Sequence, residues 1–329
     1  MVGAAISLPL PLLFAATPSL GLWWNLPGLT GLVGFVLMPL VEWTWGREAR
    51  VQPRWGVHGP RLVMLFVLCQ AAALLAWLGS QAGHSPMWRV VVLGLACGSV
   101  AGGVGIVLAH ELGHRRQGLD RALSRALLCM IGWGHYLIEH NRGHHRHAAL
   151  REDPATARID ESLWAFLPRY WWGIWQGAVA LSRVQRTPVN EAWALLAATA
   201  ALWLGAWAWA GTAGLAFCLA QAAAAQLLVG CVDYMEHWGL QRRTNALGHP
   251  ERLGPAHVWD CRNALSDLML FNLPRHAHHH IQPWHGADDL QHTAQSPQMP
   301  TGYAGMVLLT LVPPLFRRVM TPRLPPKNP

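Results

Sequence analysis

HELGH (110–114), EHNRGHHRH (139–147) and EDPATAR (152–158) stand within one stretch of the chain, from His110 to Arg158. His110 and His114 are spaced i,i+4, so on a helix they project from one face about 40° apart. His140, His144 and His145 repeat that device with an extra neighbour. Two further pieces lie far downstream: Glu236-His237-Trp238-Gly239, and His276 with His278, His279 and His280. Histidines at this density predict a fold that brings the pieces to one metal centre.

The segments around them are apolar. Of 329 residues, 52% are hydrophobic and 13% charged, and the apolar residues fall in blocks. Several blocks approach the ~20 residues that cross a hydrocarbon core. The expected fold is an all-α polytopic membrane protein, one domain over residues 1–329, with six transmembrane helices and a cytoplasmic histidine-rich cap. The spans read as 4–23, 26–43, 61–78, 90–109, 192–210 and 213–232, the last two joined by a turn at Gly211-Thr212. Residues 120–138 are apolar but carry Arg121 and Arg125, which predicts a membrane-surface or re-entrant helix. Residues 140–190 are a polar, Trp-rich excursion, and the apolar patch 304–316 is short enough to lie in the interface. The first block lacks a basic segment before it, which favours a retained helix over a cleaved signal.

Charge orients the chain. With the N-terminus cytoplasmic, segments 46–61, 110–190 and 233–329 hold 4, 11 and 9 basic residues, and the opposite loops hold none apart from Arg89 at the start of a span. This is a positive-inside pattern, and it puts every histidine cluster on the cytoplasmic side. The net charge of +8 is therefore a topology signal beside lipid, not the footprint of a nucleic-acid binder. Six scattered cysteines form no CxxC pair and read as packing residues.

HELGH alone is the zinc metalloprotease signature, with the glutamate as general base. Three observations argue against that reading. Catalytic zinc needs three protein ligands, whereas this chain groups about nine histidines; the EHNRGHH cluster has no role in such a protease; and RHAHHH adds at least three more nitrogens. A metal transporter is disfavoured because transport sites sit near the bilayer midplane. Imidazole suits iron, zinc, copper and nickel, so ligand type does not name the metal. Ligand number fits two ions better than one, and two irons with open positions would bind and activate O2.

The set HELGHR, EHNRGHH, DYMEHWGL and LPRHAHHH, in this order and membrane layout, resembles the bacterial membrane alkane hydroxylases (alkane 1-monooxygenases). These belong to the membrane fatty-acid desaturase and hydroxylase superfamily. The resemblance covers about residues 20–300, and DYMEHWGL and EDPATAR are its most specific pieces. It implies a six-helix bundle in the bacterial inner membrane and O2-dependent terminal hydroxylation of an alkane or alkyl chain. It also implies two non-haem iron ions and electrons from rubredoxin. Carried over by motif, the iron ligands are His110, His114, His140, His144, His145, His237, His276, His279 and His280. Glu111, Glu139, Asp233, Glu236 and Asp267 are candidate partners that orient the imidazoles, and His147 and His278 fall outside the pattern. The alternative is another oxidative member: a fatty-acyl desaturase, an alkene-forming decarboxylase or an aromatic-methyl hydroxylase.

Four positions depart from the family. Arg115 replaces a lysine after the first box, Trp238 replaces the tyrosine of EHYG, and Ala277-His278 replaces Ser-Asp in the third box. Of the nineteen tryptophans, Trp171, Trp172 and Trp175 read as an interfacial belt. Trp43 and Trp45 are expected to limit the length of a substrate channel. Arg146, Arg151, Arg242 and Arg243 would meet an acidic electron donor.

Overall fold

The computed structural model describes residues 7–44, 52–81, 84–185 and 188–326. Among these residues the regular structure is all helical, with no strand beyond two isolated bridges. In chain order the helices are α1 (Pro9–Trp23), α2 (Leu29–Thr44), α3 (Gly59–Ser80), α4 (Met87–His114) and α5 (Gly118–Met130). There follow α6 (136–147), α7 (Leu163–Val184), α8 (Glu191–His237), α9 (Ala264–Met269), α10 (His276–Ile281), α11 (Tyr303–Thr310) and α12 (Pro313–Met320).

Helices α3, α4 and α8 are long and apolar enough to cross a membrane. α8 is two helices in sequence, because Gly211 adopts φ 60° and ψ −145°, a conformation an L side chain rarely takes. The break falls at the turn expected between residues 210 and 213. The two N-terminal blocks form helices shorter than a full span, α1 with 15 residues and α2 in three joined pieces. Part of the predicted first block, and Trp45, lie outside the described residues.

What locks the long helices together is a stripe of small residues. Gly94, Gly98 and Gly102 recur at four-residue spacing on α4 and lie against Phe217, Gln221 and Ala225, spaced identically on α8. A Cβ built on Gly98 would meet the Gln221 carbonyl oxygen at 2.3 Å, and one on Gly102 would meet Ala225 Cα at 2.6 Å. The backbones approach as closely as glycine permits, the packing that holds helices together where no water drives them.

The cap, residues 238–301, is irregular chain stitched by buried polar side chains that satisfy backbone groups. Asp260 accepts from Ala277 N (2.8 Å) and Thr293 N (3.3 Å), and Asn272 Nδ2 donates to Ala287 O (2.8 Å). Arg275 donates to Leu290 O (2.6 Å) and Asp267 Oδ2 (3.0 Å). Glu42 ties this region to α2 and α11: from α2 it accepts from Ser266 Oγ (2.7 Å), Ala304 N (3.1 Å) and Gly305 N (2.8 Å). It thereby caps the N-terminus of α11, whose free N–H groups favour an anion. α11 is packed into the bundle, with Met306 fully buried.

Replacing Gly98 by Leu is expected to push α4 off α8 and cost about 1–3 kcal/mol. A fall in the melting temperature of the detergent-solubilised protein measures it. Replacing Gly28, whose Cβ would meet nothing, is the silent control.

Candidate metal centre

Nine imidazoles converge in two adjoining groups. His110, His114, His140, His145 and His279 form one; His144, His237, His276 and His280 form the other. Within each group the ligand atoms all lie within 4.8 Å of one another. These are the nine histidines named by motif, and His147 and His278 belong to neither group.

Consecutive residues are dealt to different groups, as His144 and His145 are, and His279 and His280. Neighbours on a helix point about 100° apart, so each pair straddles the seam between groups. In α6 the assignment depends on a widened π turn over His140–His144. It brings His145 Nε2 to 3.1 Å from His140 Nε2, an i,i+5 pair. The i,i+4 pattern expected from spacing holds for His110 and His114 (3.3 Å) and for His276 and His280 (3.0 Å). Further Nε2···Nε2 distances are 3.2 Å for His145 and His279, and 3.2 Å for His237 and His280.

The donor set fits a pair of cations. A neutral imidazole carries one lone pair and one N–H, so His280 Nε2, facing both His237 and His276, cannot be matched by protons alone. Burial, then repulsion among neighbouring rings, holds His140, His145, His276, His279 and His280 well below the ordinary imidazole value. They are neutral donors, the form a metal requires. His144 differs: burial opposes its charge, yet Asp153 beside it raises it to about 9. Its Nδ1 donates to Asp153 Oδ2 at 2.9 Å, which turns Nε2 toward its group.

Asp153 was missed as a site residue, although EDPATAR marks the turn that carries it. It also accepts from Thr156 Oγ1 (2.6 Å) and Ala155 N (3.1 Å), so a buried loop is built around one carboxylate. The predicted carboxylates take varied positions. Glu236 Oε2 lies 3.1 Å from His276 Nε2, and its Oε1 accepts from Tyr303 Oη at 2.7 Å. Asp233 accepts from Tyr170 Oη (2.5 Å). Glu139 is buried in space left by Gly143 and Gly177. Burial and then the charge of Asp153 push it up to about 8. Glu111 pairs with Arg115 (2.8 Å), and Asp267 pairs with Arg275 (3.0 Å) and His292 (3.1 Å); neither is paired with one of the nine imidazoles.

An apolar cavity runs along α4 from Ser99 to His110, about 16 Å at 1.5 Å per residue. Phe14, Phe35, Met38, Val104 and Val232 line its walls, and His110, His140, His276 and Glu236 line its polar end. Two more π turns, Val33–Leu37 and Ala101–Gly105, lie beside it and present Gly34, Gly102 and Gly103 to the space. Trp43 is 79% exposed and does not line the cavity, because α2 turns it outward. Trp238, the departure from the family tyrosine, is fully buried, with its ring against Phe316 at 5.2 Å.

Asp153→Asn is expected to lower metal affinity about 10–100-fold, because the His144 ring loses the anion that fixes its tautomer. Metal retained after dialysis against a graded chelator measures it.

Residues 86–309 match the family model described as fatty acid desaturase. The chain is 39% identical over 240 residues to alkane 1-monooxygenase 1 of Pseudomonas aeruginosa, covering 70% of this chain and 62% of that protein. It is 32% identical over 335 residues to an alkane 1-monooxygenase of Pseudomonas putida, covering 94% and 82%. With alkane 1-monooxygenase 2 of Pseudomonas aeruginosa it shares 34% over 331 residues, covering 93% and 88%. On the histidine groups, the apolar helices and these likenesses together, the chain is an oxidoreductase that belongs to the membrane alkane 1-monooxygenase family, within the fatty acid desaturase group.

Proposed function

We propose that this chain is a non-haem di-iron monooxygenase that hydroxylates the terminal carbon of an alkane or alkyl chain. The observation that carries the reading is the cavity: an apolar space between helices that is lined in part by His110, His140 and His276. A linear hydrocarbon fits such a space end-on and brings its last carbon to the imidazoles. The overall reaction is R–H + O2 + 2 e⁻ + 2 H⁺ → R–OH + H2O.

His110, His114, His140, His145 and His279 would hold one iron, and His144, His237, His276 and His280 the other. When bound, the iron pair supplies O2 binding and the oxidising power to attack an unactivated C–H bond. The chain's own residues do the rest. Phe14, Phe35, Met38 and Val104 exclude water and hold the alkyl chain in line. Asp153 fixes the His144 ring, and Glu236, held by the Tyr303 hydroxyl, steadies the His276 side. Glu111, Glu139, Asp233 and Asp267 act at greater remove, through Arg115, packing, Tyr170 and Arg275.

The rest of the reading is also a proposal. Six crossings follow if α1, α2, α3, α4 and the two arms of α8 all span the bilayer of a bacterial inner membrane. The N-terminus and the cap then face the cytoplasm. Rubredoxin is the proposed electron donor. Arg146, Arg151 and Arg243 are exposed beside the histidine groups, and Arg242 holds that face together by donating to the Arg146 carbonyl (2.8 Å). An acidic donor would be steered to this face.

Iron-reconstituted protein supplied with rubredoxin, its reductase and a series of n-alkanes is expected to contain about two irons per chain and to yield primary alcohols. One zinc and no iron, or unsaturated products, would overturn the reading. Gly103→Phe narrows the cavity where a Cβ would lie 3.7 Å from Phe14. It is expected to cut kcat/KM for the longest accepted alkanes about tenfold or more while sparing the shortest. Product profiles across chain lengths check it.

A further inference from the structure

A file of aromatic rings, unused by the hydroxylation reading, runs from the histidine groups to the surface. His140 stacks on Tyr136 with ring centroids 5.1 Å apart and planes at 29°. Tyr136 lies 6.4 Å from Trp133. The His135 ring fills the next step, edge-on to Trp133 at 4.8 Å and to Trp175 at 5.0 Å. Trp175 lies 4.9 Å from Trp193, which is 52% exposed. Trp193 stands two residues beyond Glu191, whose carboxylate pairs with Arg125 and Arg142. Those charges mark the aqueous border of α8, so the file opens toward water.

We infer that this file discharges oxidising equivalents outward when the centre has taken up O2 and electrons but holds no alkyl substrate. The inference rests on the monooxygenase reading. Indole and phenol are the side chains that most readily give up a single electron, and they accept one only with difficulty. A file of them is therefore suited to passing oxidation outward, not to relaying electrons inward from a mild donor.

Two details fit that direction. The Trp133 Nε1–H is buried and has no hydrogen-bond partner. With no base hydrogen-bonded to take its proton, an oxidised Trp133 stays a radical cation, a strong oxidant that draws an electron from Trp175 across the intervening His135 ring instead of trapping the charge. Exposed Trp193, by contrast, can release its proton to water. Tyr170 offers a side branch: its ring is 5.9 Å from Trp133, and its hydroxyl donates to Asp233 at 2.5 Å. That phenol can hand over its proton as it loses its electron.

The balance closes with a cytoplasmic thiol as reductant. Productive turnover spends one oxygen atom on carbon and reduces the other to water. Without substrate, the remaining oxygen atom needs two more electrons and two protons. The electrons leave the file one at a time and are replaced at Trp193 by thiol: O2 + 2 e⁻ + 2 H⁺ + 2 RSH → 2 H2O + RSSR.

The test runs the iron-loaded protein with reduced rubredoxin, O2 and glutathione but no alkane, then maps oxygen adducts by peptide mass spectrometry. In the wild type the adducts are expected on Trp193 and Trp175. In Trp133→Phe they are expected to retreat to Tyr136, His140 and the cavity methionines, and the protein to inactivate after about tenfold fewer uncoupled cycles. Trp193→Phe, a surface change that does not threaten folding, is expected to move the adducts inward to Trp175. Trp172→Phe, exposed and off the file, is expected to leave the map unchanged. Coupled alcohol formation at saturating alkane stays within about twofold of wild type in all three variants. An unchanged map and lifetime in Trp133→Phe and Trp193→Phe, with normal alcohol formation, would overturn this inference alone. A wild type that neither consumes O2 nor oxidises an alkane overturns the functional reading and this inference with it.

Discussion

Nine imidazoles cannot be buried together unless something answers their ε nitrogens. Unmatched polar atoms in a dry interior cost several kcal/mol in aggregate, and protons alone cannot satisfy the Nε2 atoms that face one another at 3.0–3.3 Å. A pair of cations would resolve the conflict. The helix geometry is shaped to that need. A regular α-helix would aim His140 and His145 in different directions, and the π turn at His140–His144 brings them to one group. π turns recur at functional sites because local loss of the regular ladder re-aims side chains. Here all three lie at the histidine groups or the cavity wall.

The centre also depends on contacts made far from it. Glu42 reaches out of α2 and fixes the first turn of α11. That turn carries Tyr303, whose hydroxyl holds Glu236 beside His276. A carboxylate on α2 is thus coupled to the second histidine group through one helix terminus and two hydrogen bonds. The irregular cap is rigid for a related reason, since Asp260, Asn272 and Arg275 satisfy backbone groups that have no helix or sheet to answer them.

Much of this was legible in the chain. Spacing and residue type marked the histidine clusters, and the family resemblance picked out the nine imidazoles that the fold brings into two groups. The apolar blocks located α3, α4 and both arms of α8, since hydropathy needs only composition and length. Partnerships across the fold were not legible. Glu111 and Asp267 looked like carboxylates poised beside imidazoles, but each lies within reach of an arginine, and a guanidinium is the stronger partner for a carboxylate. Asp153 was hidden because its contact with His144 depends on the turn at 148–156. Trp43 was expected in the channel, yet it faces outward, a direction that hydropathy does not register.

α4 carries both the cavity wall and the first histidine pair, so the cavity and the histidine groups share one element. Gly102 and Gly103 open the cavity, Ile106 and Val107 line it one turn later, and His110 ends it. The same glycine stripe that clamps α4 to α8 also sets how far the cavity can widen, since separating the two helices would carry His110 and His114 away from His237. If the cavity takes an alkyl chain, its length preference would therefore be tuned by side-chain bulk at positions such as Gly34, Phe35 and Gly103. It cannot be tuned by moving helices, because the nine imidazoles would lose their common focus before the cavity gained appreciable length.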